Sequence, residues 1–360
     1  QEYVGGLLEQ VVGDCRFPSG AAAVVIDAAT REVRALASYP GYGYDQFNTD
    51  FDRLQRDAQR VPLLFRAVAA QYPPGSICKA ITLVGGLSEG LVNDNTRFHC
   101  TGHLLPDQPD RFRCWIYNDH PGITHDMTDD PAGQNAESAV RNSCNIYFFH
   151  VGELLGPPRL CDWFSRFGLG RGAGTGLIEE SSGIVPTEDW LRRNEKRGFA
   201  TADAWNFAIG QGEVTITPLQ AANVAASIAA GFWAPVRLAY DDTGHAFGDG
   251  PGPITPFDEH ALRTLRRGMW RVVNERGGTA GAARLERDDY VLCGKTGSAQ
   301  TPPRPVAYRY TFEFLDGHRE SVVSFLDDAK HILGFFPDDA RGADNPGDNP
   351  ALPGIREYAC

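Results

Sequence analysis

Strand-like segments stand at the two ends of the chain and helical periodicity fills the middle, and this order limits the available folds more than any other feature. Residues 21–27 (AAAVVID) form a short apolar run, a turn-like Ala-Ala-Thr-Arg stretch follows, and residues 33–39 resume with small and apolar side chains. Two such runs across a turn predict a β-hairpin. Residues 290–300, 330–336 and 356–360 read as later strands, while 134–167, 218–230 and 258–274 carry helical patterns separated by Gly and Pro. Terminal strands that pair in one sheet bring distant segments together. The expected class is therefore α+β, an antiparallel sheet with helices on its faces plus a helical subdomain. No solenoid repeat breaks this organisation, and residues 342–354, rich in Gly, Asp, Asn and Pro, read as a mobile loop.

Charge narrows the partners. With a formal net charge of -12 the chain has no basic stripe to displace counterions from phosphates, so no nucleic acid is expected among them. No apolar run approaches the roughly 18 to 20 residues that cross a bilayer, and the start at Gln1 offers no basic-then-apolar signal segment. The chain reads as a soluble portion trimmed of an anchor.

Three short motifs carry chemistry. Pro73-Pro74-Gly75 punctuates the chain before Ser76, and Ile77, Ile81, Val84 and Leu87 follow at helical spacing, which puts Ser76 at a helix N-terminus. Lys79, three residues on, projects from the same face. A serine hydroxyl is a poor nucleophile until a base takes its proton, and a lysine serves as that base only when burial or a nearby cation lowers its pKa. The helix dipole and a second lysine brought in by the fold would both do so. Ser143-Cys144-Asn145 offers a hydroxyl for proton relay and an amide for a substrate carbonyl. Lys295-Thr296-Gly297 follows an apolar run at the edge of a strand; lysine and threonine can hold a carboxylate there, and glycine lets a ligand backbone lie close. The N–H groups of Ser76 and Ser298 would form an oxyanion hole. Taken singly, these motifs are commonplace as a solvated surface pair, a helix cap and a strand end with a turn glycine. Their conjunction in this order is what singles out a site.

Ser-x-x-Lys, Ser-x-Asn and Lys-Thr-Gly in that order resemble the boxes of penicillin-binding proteins and related β-lactamases. The similarity extends through AAAVVIDAATREVRALASYPGY, YPPGSICKAIT, NSCNIYFFHVGELLG, FGLGRGAGTGL, EESSGIVP, AIGQGEVTITPLQAANVAASIAAG, GKTGSAQ and HILGFFP, from about residue 21 to residue 337. It is most similar to class B transpeptidases of the elongation type, the penicillin-binding protein 2 subgroup. That resemblance implies a five-stranded antiparallel sheet flanked by helices, with an all-helical subdomain as the other wall of the cleft. It implies residues 1–20 as an N-terminal linker or remnant and 21–360 as a transpeptidase domain lacking the C-terminal helix. It implies peptidoglycan cross-linking: Ser76 attacks the penultimate D-alanine carbonyl of a stem peptide, Lys79 is the base, and Ser143 and Asn145 relay the proton and bind the amide. Lys295 and Thr296 recognise the terminal carboxylate, Gly297 and Ser298 line the strand edge, and β-lactams acylate Ser76. Elongation proteins including a glycosyltransferase are the implied partners, at the periplasmic face of the inner membrane and with an anchor outside this chain. Residues 301–328, longer than a hairpin turn and containing YRYTFEFL and SVVSFL, read as an extra β-arm near the cleft.

The same boxes serve serine β-lactamases and D,D-carboxypeptidases, in which water resolves the acyl-enzyme. A class A β-lactamase is shorter and needs a dedicated glutamate, whereas GQGEVTITPLQ with Glu213 resembles transpeptidases. A β-lactam sensor or a non-catalytic scaffold is the other alternative, and intact Ser76, Lys79 and Lys295 disfavour the scaffold.

Catalysis of this kind implies no cofactor. Cys100, Cys114, His120 and Cys144 nevertheless lie between the first box and the second or within the latter, and thiolates with an imidazole are ligands that tetrahedral zinc prefers. A structural zinc, a Cys100–Cys114 disulfide and three buried thiols all remain open. Cys78, within the serine box, points away from Ser76 and reads as helix packing.

Overall fold

The computed structural model describes residues 1–13, 20–57, 60–238, 254–287 and 289–298, together with three strands at 306–313, 319–326 and 332–337. Residues 1–300 and 301–360 form two compact units. The first begins with helix α1 (Glu2–Gly13), inside the segment expected to be a linker, and continues into strands β1 (Ala21–Ile26) and β2 (Val33–Tyr39). These pair antiparallel with Ala21 opposite Tyr39. Asp27 makes the turn between them, its Oδ1 accepting from the N–H groups of Ala29 and Thr30. An aspartate that satisfies its own downstream backbone in this way is a turn former, so the expected hairpin stands.

Short helices α2 (Tyr44–Thr49) and α3 (Phe51–Arg56) precede a single 3-10 turn at Gly75–Ile77, which runs directly into α4 (Cys78–Ser88). Every residue of α4 from Cys78 to Leu87 is buried, as expected of a helix at the centre of a core rather than on its surface. Helices α5 (Trp115–Asp119) and α6 (His125–Thr128) are about a turn each. They are followed by α7 (Ala136–Arg141), capped by Asn135 and Ser138, and α8 (Asn145–Arg166), which kinks at Gly156 before Pro157 and Pro158. Then come α9 (Glu188–Asn194), α10 (Thr201–Ala208), α11 (Pro218–Ala230), the two-residue ladder β3 (Phe232–Trp233) with β4 (Thr255–Pro256), and α12 (Glu259–Asn274). The limits of α11 follow from its sequence: a Thr217/Gln220 capping box and Pro218 start it, and Gly231 in the left-handed region stops it.

The core gathers Leu83 and Val84 of α4, Tyr147, Phe148 and Phe149 of α8, Phe207 of α10 and Leu265 of α12. Each large apolar side chain withdrawn from water contributes about 1.5–3 kcal/mol. The four-helix body is thus the rigid element on which Lys79 and Asn145 are mounted, and Ser76 and Ser143 sit at its helix starts. A smaller cluster of Leu36, Val68, Leu219 and Val236 lies under the hairpin.

The second unit is a three-stranded antiparallel sheet in the order β5 (Val306–Glu313), β6 (Arg319–Leu326), β7 (Ile332–Pro337). Strands β5 and β6 fall within 301–328, where an extra β-arm was expected, and β7 is the strand expected at 330–336.

α+β architecture is present, but the described strands form sheets of two, two and three rather than one sheet of five. The segment expected as a strand from residue 290 is irregular through residue 298. A strand needs a continuous ladder; here Gly294 N–H donates to Met269 O on α12, and Tyr290, Val291 and Leu292 are exposed. The loop expected at 342–354 and the strand expected at 356–360 lie outside the described residues.

Candidate active site

Gly75 sets the position of Ser76. Its φ of +55° is in the left-handed region that favours glycine. Its N–H donates to Gly210 O at 2.9 Å, and a Cβ at Gly75 would stand 2.3 Å from Ser298 O. At Gly210, also left-handed, a Cβ would stand 2.2 Å from Gly75 O. Three backbone segments, from the serine box, the GQG stretch and the Lys-Thr-Gly stretch, therefore touch at a point where no side chain fits. Ser76 lines one wall of an open cleft of about 1270 Å³, with Ser143, Asn145, Gln211, Thr279 and Thr296 among the other lining residues.

Lys79, the second residue of α4 and three residues after Ser76, is fully buried. Its Nζ donates to Ser143 O at 2.7 Å, Ser143 Oγ at 3.1 Å and Asn145 Oδ1 at 2.6 Å. Burial lowers its pKa to about 8, against the opposing pull of Cys114 and Cys144. Lys295 Nζ reaches the same hydroxyl, 2.9 Å from Ser143 Oγ, and also donates to Thr296 O. Burial first, and then the charge of Lys79, hold Lys295 well below the ordinary lysine range.

Ser143 adopts a φ of +51° between α7 and α8. A non-glycine residue there costs about 1 kcal/mol or more. The bend aims its hydroxyl at both lysines while Ser143 N–H and Cys144 N–H close the end of α7 on Val140 O and Ala139 O. Asn145 is held from two sides: its Nδ2 donates to Arg113 O at 2.8 Å, and its backbone N–H points at Cys114 Sγ, 3.3 Å away.

Beneath this box, Cys100, Cys114, Cys144 and His125 bring four potential ligand atoms within 4.8 Å of one another, all buried. His125, not His120, completes the set. His120 is the exposed C-cap of α5, whereas α6 turns His125 inward, with Nδ1 lying 3.5 Å from Cys100 Sγ and 3.4 Å from Cys114 Sγ. Cys114 Sγ and Cys144 Sγ are 4.0 Å apart and all three thiols are free, so Cys100 and Cys114 are not bridged. Sulfur at about 2.3 Å and nitrogen at about 2.0 Å from tetrahedral zinc give edges of roughly 3.8 and 3.5 Å. The separations of 3.5, 3.4 and 4.0 Å lie close to these edges. Asp126 backs the set, accepting from Cys100 N–H at 3.0 Å. Burial opposes a Cys114 thiolate, but hydrogen bonds from Cys100 and Cys144, together with Lys79, hold it well below an ordinary thiol. Cys78 is buried in α4 and burial pushes its thiol up, as packing rather than nucleophilic use requires.

Sequence reasoning missed Thr279, whose Oγ1 lies 2.9 Å from Thr296 Oγ1, and the contact of Gly210 with the serine turn. Its signal for Thr279 was faint, no more than the Gly277-Gly278 pair that follows α12.

A cleft serine, a buried lysine three residues on, and a second lysine meeting the first at a shared hydroxyl are groups that an active-site serine acyltransferase would need. The family model of the penicillin-binding protein transpeptidase domain matches residues 21–313. The chain belongs to that family. It is 30% identical over 319 residues to the peptidoglycan D,D-transpeptidase MrdA of Haemophilus influenzae, covering 83% of this chain and 45% of that protein. Among solved structures it resembles Pseudomonas aeruginosa PBP2 in complex with WCK 5153, with a TM-score of 0.71, 25% identity and coverage of 91% of this chain and 69% of the other. It also resembles PBP2 from the complex with MreC of Helicobacter pylori, with a TM-score of 0.66, 25% identity and coverage of 88% and 55%. The chain thus spans less than half the length of the curated relative.

Proposed function

We propose that this chain is the cross-linking domain of a peptidoglycan D,D-transpeptidase. The observation that carries the reading is the convergence of Lys79 and Lys295 on Ser143 Oγ beside the Ser76 wall of the cleft. Lys295 and Thr296 take the terminal carboxylate of a stem peptide, Asn145 its amide, and the irregular segment at Gly297 and Ser298, which lines the cleft, its backbone. Ser76 Oγ attacks the penultimate D-alanine carbonyl and its proton passes to neutral Lys79. N–H groups of Ser76 and Ser298 hold the tetrahedral oxyanion. The C–N bond then breaks, and the leaving D-alanine amine takes a proton from Lys79 through Ser143. An amine of a second stem peptide attacks the ester and gives one proton to the again neutral Lys79; the C–O bond breaks, the new amide forms, and Lys79 returns that proton to Ser76 Oγ. A β-lactam enters by the same route, but its opened ring stays attached.

The four-ligand set suits a structural zinc held by Cys100, Cys114, His125 and Cys144. Bound there, the ion supplies cross-linking rather than reaction chemistry. Cys114 stands next to Arg113, whose carbonyl holds Asn145, and Cys144 stands between Ser143 and Asn145. The H. pylori relative was solved with MreC, which supports wall-elongation proteins as partners; a glycosyltransferase belongs to the same proposal. With such partners the domain would work at the periplasmic face of the inner membrane, held there by an anchor outside this chain.

The test is product analysis with a stem pentapeptide and an amine acceptor. Transfer predicts release of D-alanine with formation of the acceptor amide; release with tetrapeptide acid alone indicates a carboxypeptidase, and no release in folded protein contradicts the reading.

A further inference from the structure

Thr279 sits in the loop after α12, and its hydroxyl and that of Thr296 share one hydrogen bond of 2.9 Å at the cleft wall. A threonine hydroxyl has one hydrogen and two lone pairs. If Thr296 spends that hydrogen on Thr279, none is left for a ligand. If Thr279 donates instead, Thr296 Oγ1 accepts and its own hydrogen is free for a carboxylate entering beside Lys295. Among the described residues Thr279 Oγ1 has no other hydrogen-bond partner, so its hydrogen is available for this one contact.

The loop that carries Thr279 is held in place. Arg141 Nη2 donates to Arg276 O at 2.6 Å, Gly278 N–H to Glu275 O at 3.0 Å and Ala280 N–H to Val272 O at 3.0 Å. A Cβ at Gly278 would stand 2.3 Å from Val272 O, so the chain lies directly on the end of α12. Arg141 is two residues before Ser143. One arginine therefore ties the Thr279 loop to the helix end that presents the shared hydroxyl of the lysines.

We infer that Thr279 is a positioning residue for carboxylate recognition: its hydroxyl donates to Thr296 Oγ1 and so turns the Thr296 hydrogen toward the acidic end of the ligand. This rests on the carboxylate role proposed for Lys295 and Thr296. It makes Thr279 a determinant of preference for ligands that end in a free carboxylate over those that end in a neutral group.

The experiment compares second-order acylation rates for benzylpenicillin and its methyl ester in wild type, Thr279→Ser, Thr279→Val, Thr296→Val and the double Thr279→Val/Thr296→Val, with melting temperatures recorded. In Thr279→Val the acid-to-ester ratio falls about tenfold, as expected when a hydrogen bond to a charged group is misdirected. Thr279→Ser restores the ratio to within about twofold, and the double variant matches Thr296→Val because both changes remove one interaction. Thr279→Ala, which removes the hydroxyl with less bulk, shows the same ratio and serves where the valine variant melts early. Acid and ester slowed equally, or a double variant in which the two effects add, overturns the inference. Acylation that is absent in wild type, or that persists in Ser76→Ala, contradicts the parent reading of the site instead.

Discussion

Lys79 and Lys295 direct their side-chain nitrogens at a single atom, the Ser143 hydroxyl oxygen, from 3.1 and 2.9 Å. That oxygen has two lone pairs, one for each lysine. Two cations brought together away from water cannot both keep their protons at low cost. Burial, opposed by Cys114 and Cys144, brings Lys79 to about 8. A lysine poised there is neutral often enough to take a proton from Ser76 and charged often enough to return one to a leaving amine.

The pH dependence follows with a definite sign. Neutral Lys79 is the competent base and lies on the alkaline side of its pKa, so acylation rises with pH through about 8 and levels above it. At pH 7 the rate is about a tenth of the plateau. Stopped-flow acylation between pH 6 and 9 measures this. A Lys79→Arg variant, whose guanidinium keeps its proton, acylates slower by a factor on the order of 10³ with no rise in this range.

Ser143→Ala removes the hydroxyl between the two lysines. Proton relay is lost and acylation falls on the order of 10²-fold. Stability falls by only about 1 kcal/mol, because Ser143 O still accepts from Lys79 and relief of the positive φ is not gained by alanine. Parallel acylation and thermal unfolding measurements separate the two effects; an equal loss in both would mark Ser143 as merely structural.

Gly75→Ala should be among the most damaging changes of one methyl group in the protein. Its Cβ would meet Ser298 O at 2.3 Å, with backbone rather than a flexible side chain in the way. The left-handed φ adds about 1 kcal/mol to the steric cost. A drop of about 2 kcal/mol or more in chemical denaturation, with acylation lost, is the expected result.

Metal analysis of purified protein should find about one zinc per chain, as four ligands of this geometry predict. His125→Ala lowers both zinc content and melting temperature, whereas His120→Ala, at an exposed cap, leaves both unchanged. Equal loss in the two variants would contradict the ligand set.

Local chemistry made much of the fold legible. The Asp27 turn, the Thr217/Gln220 box with Pro218, and the Asp258 cap of α12 are each written within a few residues, so the hairpin, α11 and α12 were readable from the sequence. The spacing of Ser76 and Lys79 was equally plain in the sequence, and the first falls in the 3-10 turn and the second at the start of α4. Contacts across the fold were not. His120 and His125 lie in the same stretch, and spacing cannot say that α6 carries the second to Cys100 and Cys114 while the first caps α5 at the surface. Thr279 meets Thr296 across 17 residues through a loop whose course depends on Arg141 of another helix. The segment at 290–298 has strand-forming residues, but β propensity expresses itself only with a partner strand beside it. An apolar run therefore did not amount to a strand there.

Whether Ser76 is the acylated nucleophile is read from intact-protein mass spectrometry after incubation with benzylpenicillin. Wild type should gain one adduct that persists over hours, and Ser76→Ala, shown to be folded, should gain none. An adduct that forms equally in Ser76→Ala, or none in folded wild type, would contradict the account.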